Sequence, residues 1–213
     1  MKVNSKEYWD ARFSSEDWGK KGGQIQTESH AKNYVQHLNI ANDFTGSICD
    51  FGCAEGNAFP VYANHFPSAQ LLGVDFSKAA IDNARNKFGH FANFLAGDVY
   101  DVPHSDVIIC SHTLEHLENH IQVLQTLKQK CEKLFAIVPY QEEPLGSEHL
   151  RAYDETSYDD EHPSSVVVCG AGWSYRGLNY LLQIPIKNLA RPLFGRKIAR
   201  EPMQVIFEFE CTR

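Results

Sequence analysis

The stretch ICDFGCAEGNAFP, residues 48–60, decides how the rest of the chain is read. An apolar run, Ile48 and Cys49, ends in an acid, Asp50, and breaks at Gly52 and Gly56. A helix-forming segment follows from Asn57. Strand, glycine-bearing turn and helix form the opening unit of a nucleotide-type cofactor site, because the glycines let backbone amides approach the ligand.

Outward from this stretch, strand-like and helical runs alternate. SICDF leads to a helix near 57–65, QLLGVDF to one over 77–88, and FANFLAG to a turn. DVIICS precedes a helix near 119–131, and KLFAIVP closes the series. Ser77 is a good helix N-cap, and KAAIDNARNKF spaces its apolar residues as a helix does. Such alternation predicts an α/β fold, a mostly parallel sheet with helices on both faces. Residues 1–45 read as polar helices anchored by Tyr8, Trp9, Phe13 and Trp18, the second running from about Thr27 to Asn42. Two further strands are expected in SSVVVCG and MQVIFEFECT, the latter alternating Phe207, Phe209 and Cys211 with outward Glu208 and Glu210.

Composition narrows the class. With 213 residues, 43% of them apolar and 22% charged, the chain reads as one soluble globular domain. A net charge of −7 argues against a general nucleic-acid binder. MKVNSKEYWDARF has no apolar signal region, and no run reaches the ~18 apolar residues of a membrane span. The six cysteines form no C-x-x-C pair, so they are expected as reduced thiols of a cytoplasmic protein. Charge is uneven late in the chain. Eight acids between 141 and 162 face only Arg151, whereas Lys187, Arg191, Arg196, Lys197 and Arg200 have no acid among them. A solvated face explains either run, and an anionic group on a substrate explains the second.

The turn itself discriminates between cofactors. A dinucleotide turn reads G-x-G-x-x-G, whereas this one reads Gly52-Cys53-Ala54-Glu55-Gly56, with a carboxylate expected where a pyrophosphate would sit. A phosphate-free adenosine carrying an amino-acid tail, S-adenosylmethionine, meets no such repulsion. Asp75 closes the second strand 19 residues beyond Gly56, where an acid accepts bonds from ribose hydroxyls. Asp98 closes the third, placed to meet an adenine amino group.

DFGCAEGNAF, GVDFS, AGDV and DVIICSHTLEHLEN resemble the ordered motifs of class I S-adenosylmethionine-dependent methyltransferases, over about residues 46–155. YWDARF resembles the helix that lids the cofactor in many members. The resemblance implies a Rossmann-like, doubly wound seven-stranded sheet, mostly parallel with an antiparallel last strand. It implies a single domain: an N-terminal lid (1–45), a cofactor core (46–140) and a substrate-side elaboration (141–213). Asp50, Phe51, Gly52, Cys53, Gly56, Asp75, Phe76, Asp98, Val99 and Ser111 are then expected against S-adenosylmethionine, with Trp9 and Arg12 from the lid. Ala54 departs from the family's usual glycine and would be strained if that position needs φ > 0. An inactive cofactor-binding relative and an NAD-dependent dehydrogenase remain the rival readings, separable by which cofactor binds.

SHTLEHLENH supplies the reaction chemistry. Methyl transfer to oxygen requires a proton to leave, and His116, with His112 and Glu115 beside it, is the expected base. The plain alternative is that Glu115 and His116 cap the following helix. His112, Glu115 and His116 share a face if the turn is helical, a pattern similar to the Glu-x-x-Glu-His of metal-assisted O-methyltransferases of ubiquinone biosynthesis and of small-RNA 3′ ends. Those families add a later histidine, to which His149 corresponds in position. Histidine as first ligand favours a transition metal over magnesium. The metal-free version is the preferred expectation, with a small molecule as acceptor. Trp173, Tyr175 and Tyr180 are expected as walls of its pocket.

Overall fold

A computed structural model describes residues 1–171, 189 and 202–211. The aromatic and basic connection at 173–200 expected to cover the acceptor lies outside the described residues. Seven strands form one sheet: β1 (Ser47–Phe51), β2 (Gln70–Asp75), β3 (Asn93–Ala96), β4 (Ser105–Ser111), β5 (Cys131–Pro139), β6 (Ser165–Gly170) and β7 (Met203–Glu210). Their order is β3-β2-β1-β4-β5-β7-β6. β1 to β5 pair in parallel, and β7 runs antiparallel to both β5 and β6. The chain moves one way from β1 to β2 and β3, and the other way from β4 to β5. That reversal opens a crevice between the carboxyl ends of β1 and β4, where open α/β sheets bind ligands.

Period-two alternation divides the core between the two faces. Ile48, Ile109 and Phe135 turn to one side, under Tyr34, Tyr62 and Ile81 from α3 (Gly23–Tyr34), α4 (Phe59–His65) and α5 (Lys78–Phe88). Cys49, Ile108 and Leu134 turn to the other, under Val123, Leu124 and Leu127 of α6 (His120–Lys128). Each such aliphatic side chain contributes about 1.5–3 kcal/mol by leaving water. Ser77 caps α5 as expected, its Oγ accepting from the Ala80 N–H at 3.2 Å.

Two expectations are corrected. α3 begins at Gly23, ahead of Thr27, and its helical turns end at His37. Gly22 supplies the left-handed residue that starts it (φ 86), and Gly23 is needed because a Cβ there would fall 2.3 Å from Trp18. β7 does not alternate in and out, because it lies between β5 and β6 and is covered on both faces. Glu208 is therefore buried, and Lys133 Nζ reaches its Oε1 at 2.8 Å. No helix among the described residues is long and apolar enough to cross a membrane.

Candidate functional site

A cavity of about 1410 Å³ occupies the crevice. One wall comes from the ends of β1 and β2. Asp50, Phe51, Gly52, Cys53, Asp75 and Phe76 all line it. The glycine turn and Asp75 form one unit: Asp75 Oδ2 accepts from the Ala54 N–H at 2.9 Å, and Oδ1 from the Ser77 N–H at 2.8 Å. Each carboxylate oxygen keeps a lone pair for a further donor. Burial pushes Asp75 up to about 6 and Asp50 up to about 7, the latter with the Tyr62 hydroxyl donating to it at 3.2 Å. Burial thus disfavours the charged form of both acids. Gly52 has φ 79, and a Cβ on it would lie 2.1 Å from Thr113 Oγ1. The turn after β1 therefore packs directly on the turn after β4. Ala54 does adopt φ 47, the left-handed conformation that its family resemblance flagged.

Four expectations at this end change. Glu55 does not project where a phosphate would sit. It is buried away from the cavity, accepting from Gln24 Nε2 (2.6 Å), Asn83 Nδ2 (2.9 Å) and Lys87 Nζ (2.5 Å), and so ties α3 to α5. The repulsion argument against a dinucleotide thus loses its carboxylate, and the glycine spacing alone carries it. Gly56 lies outside the described wall: it has φ 78, and a Cβ would press Phe94 at 3.0 Å. Val99 is buried in the core, away from the cavity. Asp98 is exposed at a turn, its Oδ1 accepting from the Tyr100 N–H at 2.8 Å, and is likewise absent from the described wall.

Over the cavity lies α1 (Lys6–Ser14), capped by Ser5, whose Oγ accepts from the Tyr8 N–H at 3.2 Å. Trp9 and Arg12 both face the cavity, as expected. The Arg12 guanidinium sits 5.1 Å from the Trp9 ring centroid, a cation–π contact. Arg12 donates to Asp17 at 3.1 Å and pairs with Glu148. Glu142 and Glu148 belong to the acidic run read above as solvated, yet both line the cavity. No local sequence signal separated these two acids from their exposed neighbours; the fold turned them inward.

The opposite wall is the turn after β4, where Ser111, His112, Thr113, Glu115 and His116 line the cavity. Leu114–His116 is one 3-10 turn. Arg151 holds it by donating to the carbonyls of Leu114 (3.0 Å) and Leu117 (2.6 Å), and the Leu150 N–H donates to that of Glu115 (2.8 Å). His116 Nδ1 lies 3.1 Å from the Glu148 carbonyl. A carbonyl only accepts, so Nδ1 carries the proton and Nε2 keeps a lone pair. Burial holds His116 below its usual pKa and favours that neutral ring. His149 pairs through Nδ1 with Glu142, and the two rings, His116 and His149, stand edge to face at 4.9 Å. Burial opposes charge on His149, but Glu142, Glu115 and Glu148 together outweigh it and raise its pKa.

His112 does not share a helix face with Glu115 and His116. Its φ of 51 and its N–H bond to the Ile137 carbonyl (2.8 Å) keep it at the strand end. Its ring stacks on His30 at 4.1 Å, and Nε2 meets Gln204 Oε1 at 3.1 Å. Glu115 is 0% exposed, and neither carboxylate oxygen has a hydrogen-bond partner; His112 Nδ1 stands 3.4 Å from Oε1 as an ion-pair contact. Glu115, His116 and His149 each offer a ligand atom, all within 4.8 Å of one another. The expected quartet is therefore a trio without His112.

Comparison with known proteins agrees with this geometry. Residues 49–133 match a methyltransferase domain family. A trans-aconitate 2-methyltransferase of Yersinia pestis (strain Pestoides F) is 28% identical over 100 residues, 46% of this chain and 38% of the relative. The chain thus aligns with well under half the length of that relative. Among solved structures, the plantazolicin methyltransferase BpumL, in complex with a triazolic desmethylPZN analog and SAH, superposes with TM-score 0.59 at 17% identity, covering 97% of this chain and 95% of that one. Coclaurine N-methyltransferase, bound to N-methylheliamine and SAH, gives TM-score 0.59 at 13% identity, over 83% of this chain and 68% of that one. These likenesses are of fold.

Proposed function

We infer that this chain, whose core is a class I S-adenosylmethionine-dependent methyltransferase domain, methylates a small molecule on oxygen. One observation carries the reading: the motif residues at the ends of β1 and β2 and the imidazoles after β4 line a single cavity beneath Trp9 and Arg12. In this reading Asp75 holds the ribose hydroxyls and Asp50 faces the cationic amino-acid tail. Adenine lies towards the β3 end, where Asp98 would have to reach it from the rim. Bound S-adenosylmethionine would supply an electrophilic methyl to the acceptor oxygen, its S–CH₃ bond exchanged for O–CH₃ and a neutral thioether left behind. The hydroxyl proton passes to His116 Nε2, whose lone pair belongs to that wall. Positioning supplies much of the rate, since two bound reactants need no further encounter. The relatives named for trans-aconitate support a small acceptor. The protein is then an intracellular, cytoplasmic enzyme needing no nucleic acid. An anionic group on the acceptor is consistent with the basic run at 187–200.

Calorimetry with S-adenosylhomocysteine tests the first half. Folded protein that fails to bind it overturns the reading. Incubation with labelled S-adenosylmethionine and a metabolite extract then identifies the acceptor, and label on nitrogen or carbon only would exclude the oxygen assignment.

A second reading, a metal-assisted form of the same reaction, is favoured by the Glu115 carboxylate, which is fully buried, makes no hydrogen bond and has the His112 ring 3.4 Å away. A fully buried charge without hydrogen bonds is costly unless something pairs with it. Glu115 with Nε2 of His116 and of His149 forms a carboxylate–imidazole set suited to a first-row transition dication. Their Nδ1 atoms are already fixed by the Glu148 carbonyl and by Glu142, as ligating histidines usually are. Such a cation would lower the pKa of an acceptor hydroxyl. Chelation distinguishes the two: activity lost to a chelator, restored by one metal and absent in His149→Ala supports the metal. Activity untouched by chelator, in protein holding less than about a tenth of an equivalent of any transition metal, excludes it.

A further inference from the structure

We propose that Glu148 is a positioning residue that couples closure of α1 over the cofactor to the orientation of the His116 ring. The inference rests on α1 being the cofactor cover, as read above, and adds how that cover is linked to the reacting wall.

Glu148 is grasped from both sides. Its carboxylate takes bonds from the Tyr8 hydroxyl and the Arg12 guanidinium of α1. Its backbone carbonyl accepts from Asn4 Nδ2 at 2.7 Å, just ahead of α1, and from His116 Nδ1 at 3.1 Å across the cavity. One residue therefore receives the N-terminal segment through its side chain and the imidazole through its main chain. Trp9, one residue from Tyr8, lies edge-on to the His116 ring at 5.2 Å, so α1 also bounds that ring sterically.

The link is stiff on the His116 side. Two and three residues beyond Glu148, Leu150 and Arg151 fasten the segment to the backbone of the 3-10 turn. On the α1 side it depends on a part-buried charge cluster. Arg12 is only 11% exposed and Glu148 23%, so water screens the pair weakly. When α1 lifts, the Glu148 side chain loses two donors and its carbonyl loses Asn4. The carbonyl then no longer has a fixed direction in which to hold the Nδ1 proton of His116. With α1 closed, the Nδ1–H tautomer is enforced and Nε2 is presented bare to the cavity. The fold thus readies the imidazole when the cover is down.

Glu148→Ala tests this without altering the carbonyl chemistry. Three readouts apply to the full chain, the first and third with saturating S-adenosylhomocysteine and the second by titration with it. Amide exchange over residues 6–14 should quicken about tenfold. Affinity for S-adenosylhomocysteine should fall by a similar factor, about tenfold. The ¹⁵N shifts of the His116 ring should change from one Nδ1–H tautomer to a mixture. Tyr8→Phe, which removes one bond and no charge, should show the same three changes at smaller size. A loosened α1 with an unchanged His116 tautomer overturns the coupling and leaves Glu148 a simple clasp. A changed tautomer with α1 exchange unaltered overturns it equally. Failure of the wild-type chain to bind S-adenosylhomocysteine would instead refute the methyltransferase reading itself, so the two failures are distinct.

Discussion

The Ala54 N–H donates to Asp75 Oδ2 at 2.9 Å, so the turn after β1 and the acid closing β2 are locked into one cavity-facing unit. Asp75→Ala should remove this lock and the two ribose bonds assigned to it. S-adenosylhomocysteine binding should weaken by about 1–3 kcal/mol, roughly 5- to 150-fold, measured by calorimetry. An affinity within twofold of wild type would remove Asp75 from the site.

The two buried acids set a pH dependence. Burial raises Asp50 to about 7 and Asp75 to about 6 in the free protein, so folding favours their protonated forms. Their contribution to stability is therefore present at about pH 4, the ordinary carboxylate range, and is lost as pH rises through 6 to 7. A cationic ligand tail and ribose hydroxyls favour the ionised forms, so binding should release protons. Affinity for S-adenosylhomocysteine should rise between pH 5 and 7.5 and level off above, by roughly tenfold per pH unit for each proton coupled. A flat profile across that window would show that neither acid meets the ligand.

Glu55 provides a contrast within the same turn. Its carboxylate serves three partners on α3 and α5 and does not face the cavity. Glu55→Ala should lower unfolding stability by about 1–3 kcal/mol, read from chemical denaturation, because three hydrogen bonds to a buried carboxylate are lost. Its affinity for S-adenosylhomocysteine at 20 °C should stay within about threefold, since no cavity-lining atom is removed. A selective loss of binding with stability intact would return Glu55 to the cofactor site.

Gly52 and Ala54 share a positive φ but should respond differently to exchange. Gly52→Ala combines φ 79 with a Cβ 2.1 Å from Thr113 Oγ1, so the two turns must separate. A loss of about 1–3 kcal/mol in stability and loss of detectable cofactor binding are expected. Ala54→Gly relieves a strain of about 1 kcal/mol but frees the unfolded backbone by a similar amount. Its stability should move by less than about 1 kcal/mol. Thermal unfolding with and without S-adenosylhomocysteine measures both.

Sequence alone determined what repeats along the chain. Alternating apolar runs and caps such as Ser77 are local, so they gave the α/β class, the strands and most helices. The glycine turn, Asp75 and the His-rich turn were legible because each is a short motif tied to one strand end. Only the tertiary structure decided matters that depend on distant partners. Glu208 and Glu210 look alike in sequence and both reach Lys133, yet the fold buries the first and leaves the second exposed at the end of β7. Glu55 and Glu148 both sit in polar stretches, but one ties helices together and the other receives α1 from 136 residues away. His112 looked like a member of a helical triad, but it follows directly on the end of β4, where a left-handed φ and a bond to the Ile137 carbonyl hold it out of the 3-10 turn. A side chain's direction is fixed by what packs against it, and for these residues the packing partners lie far off in the chain.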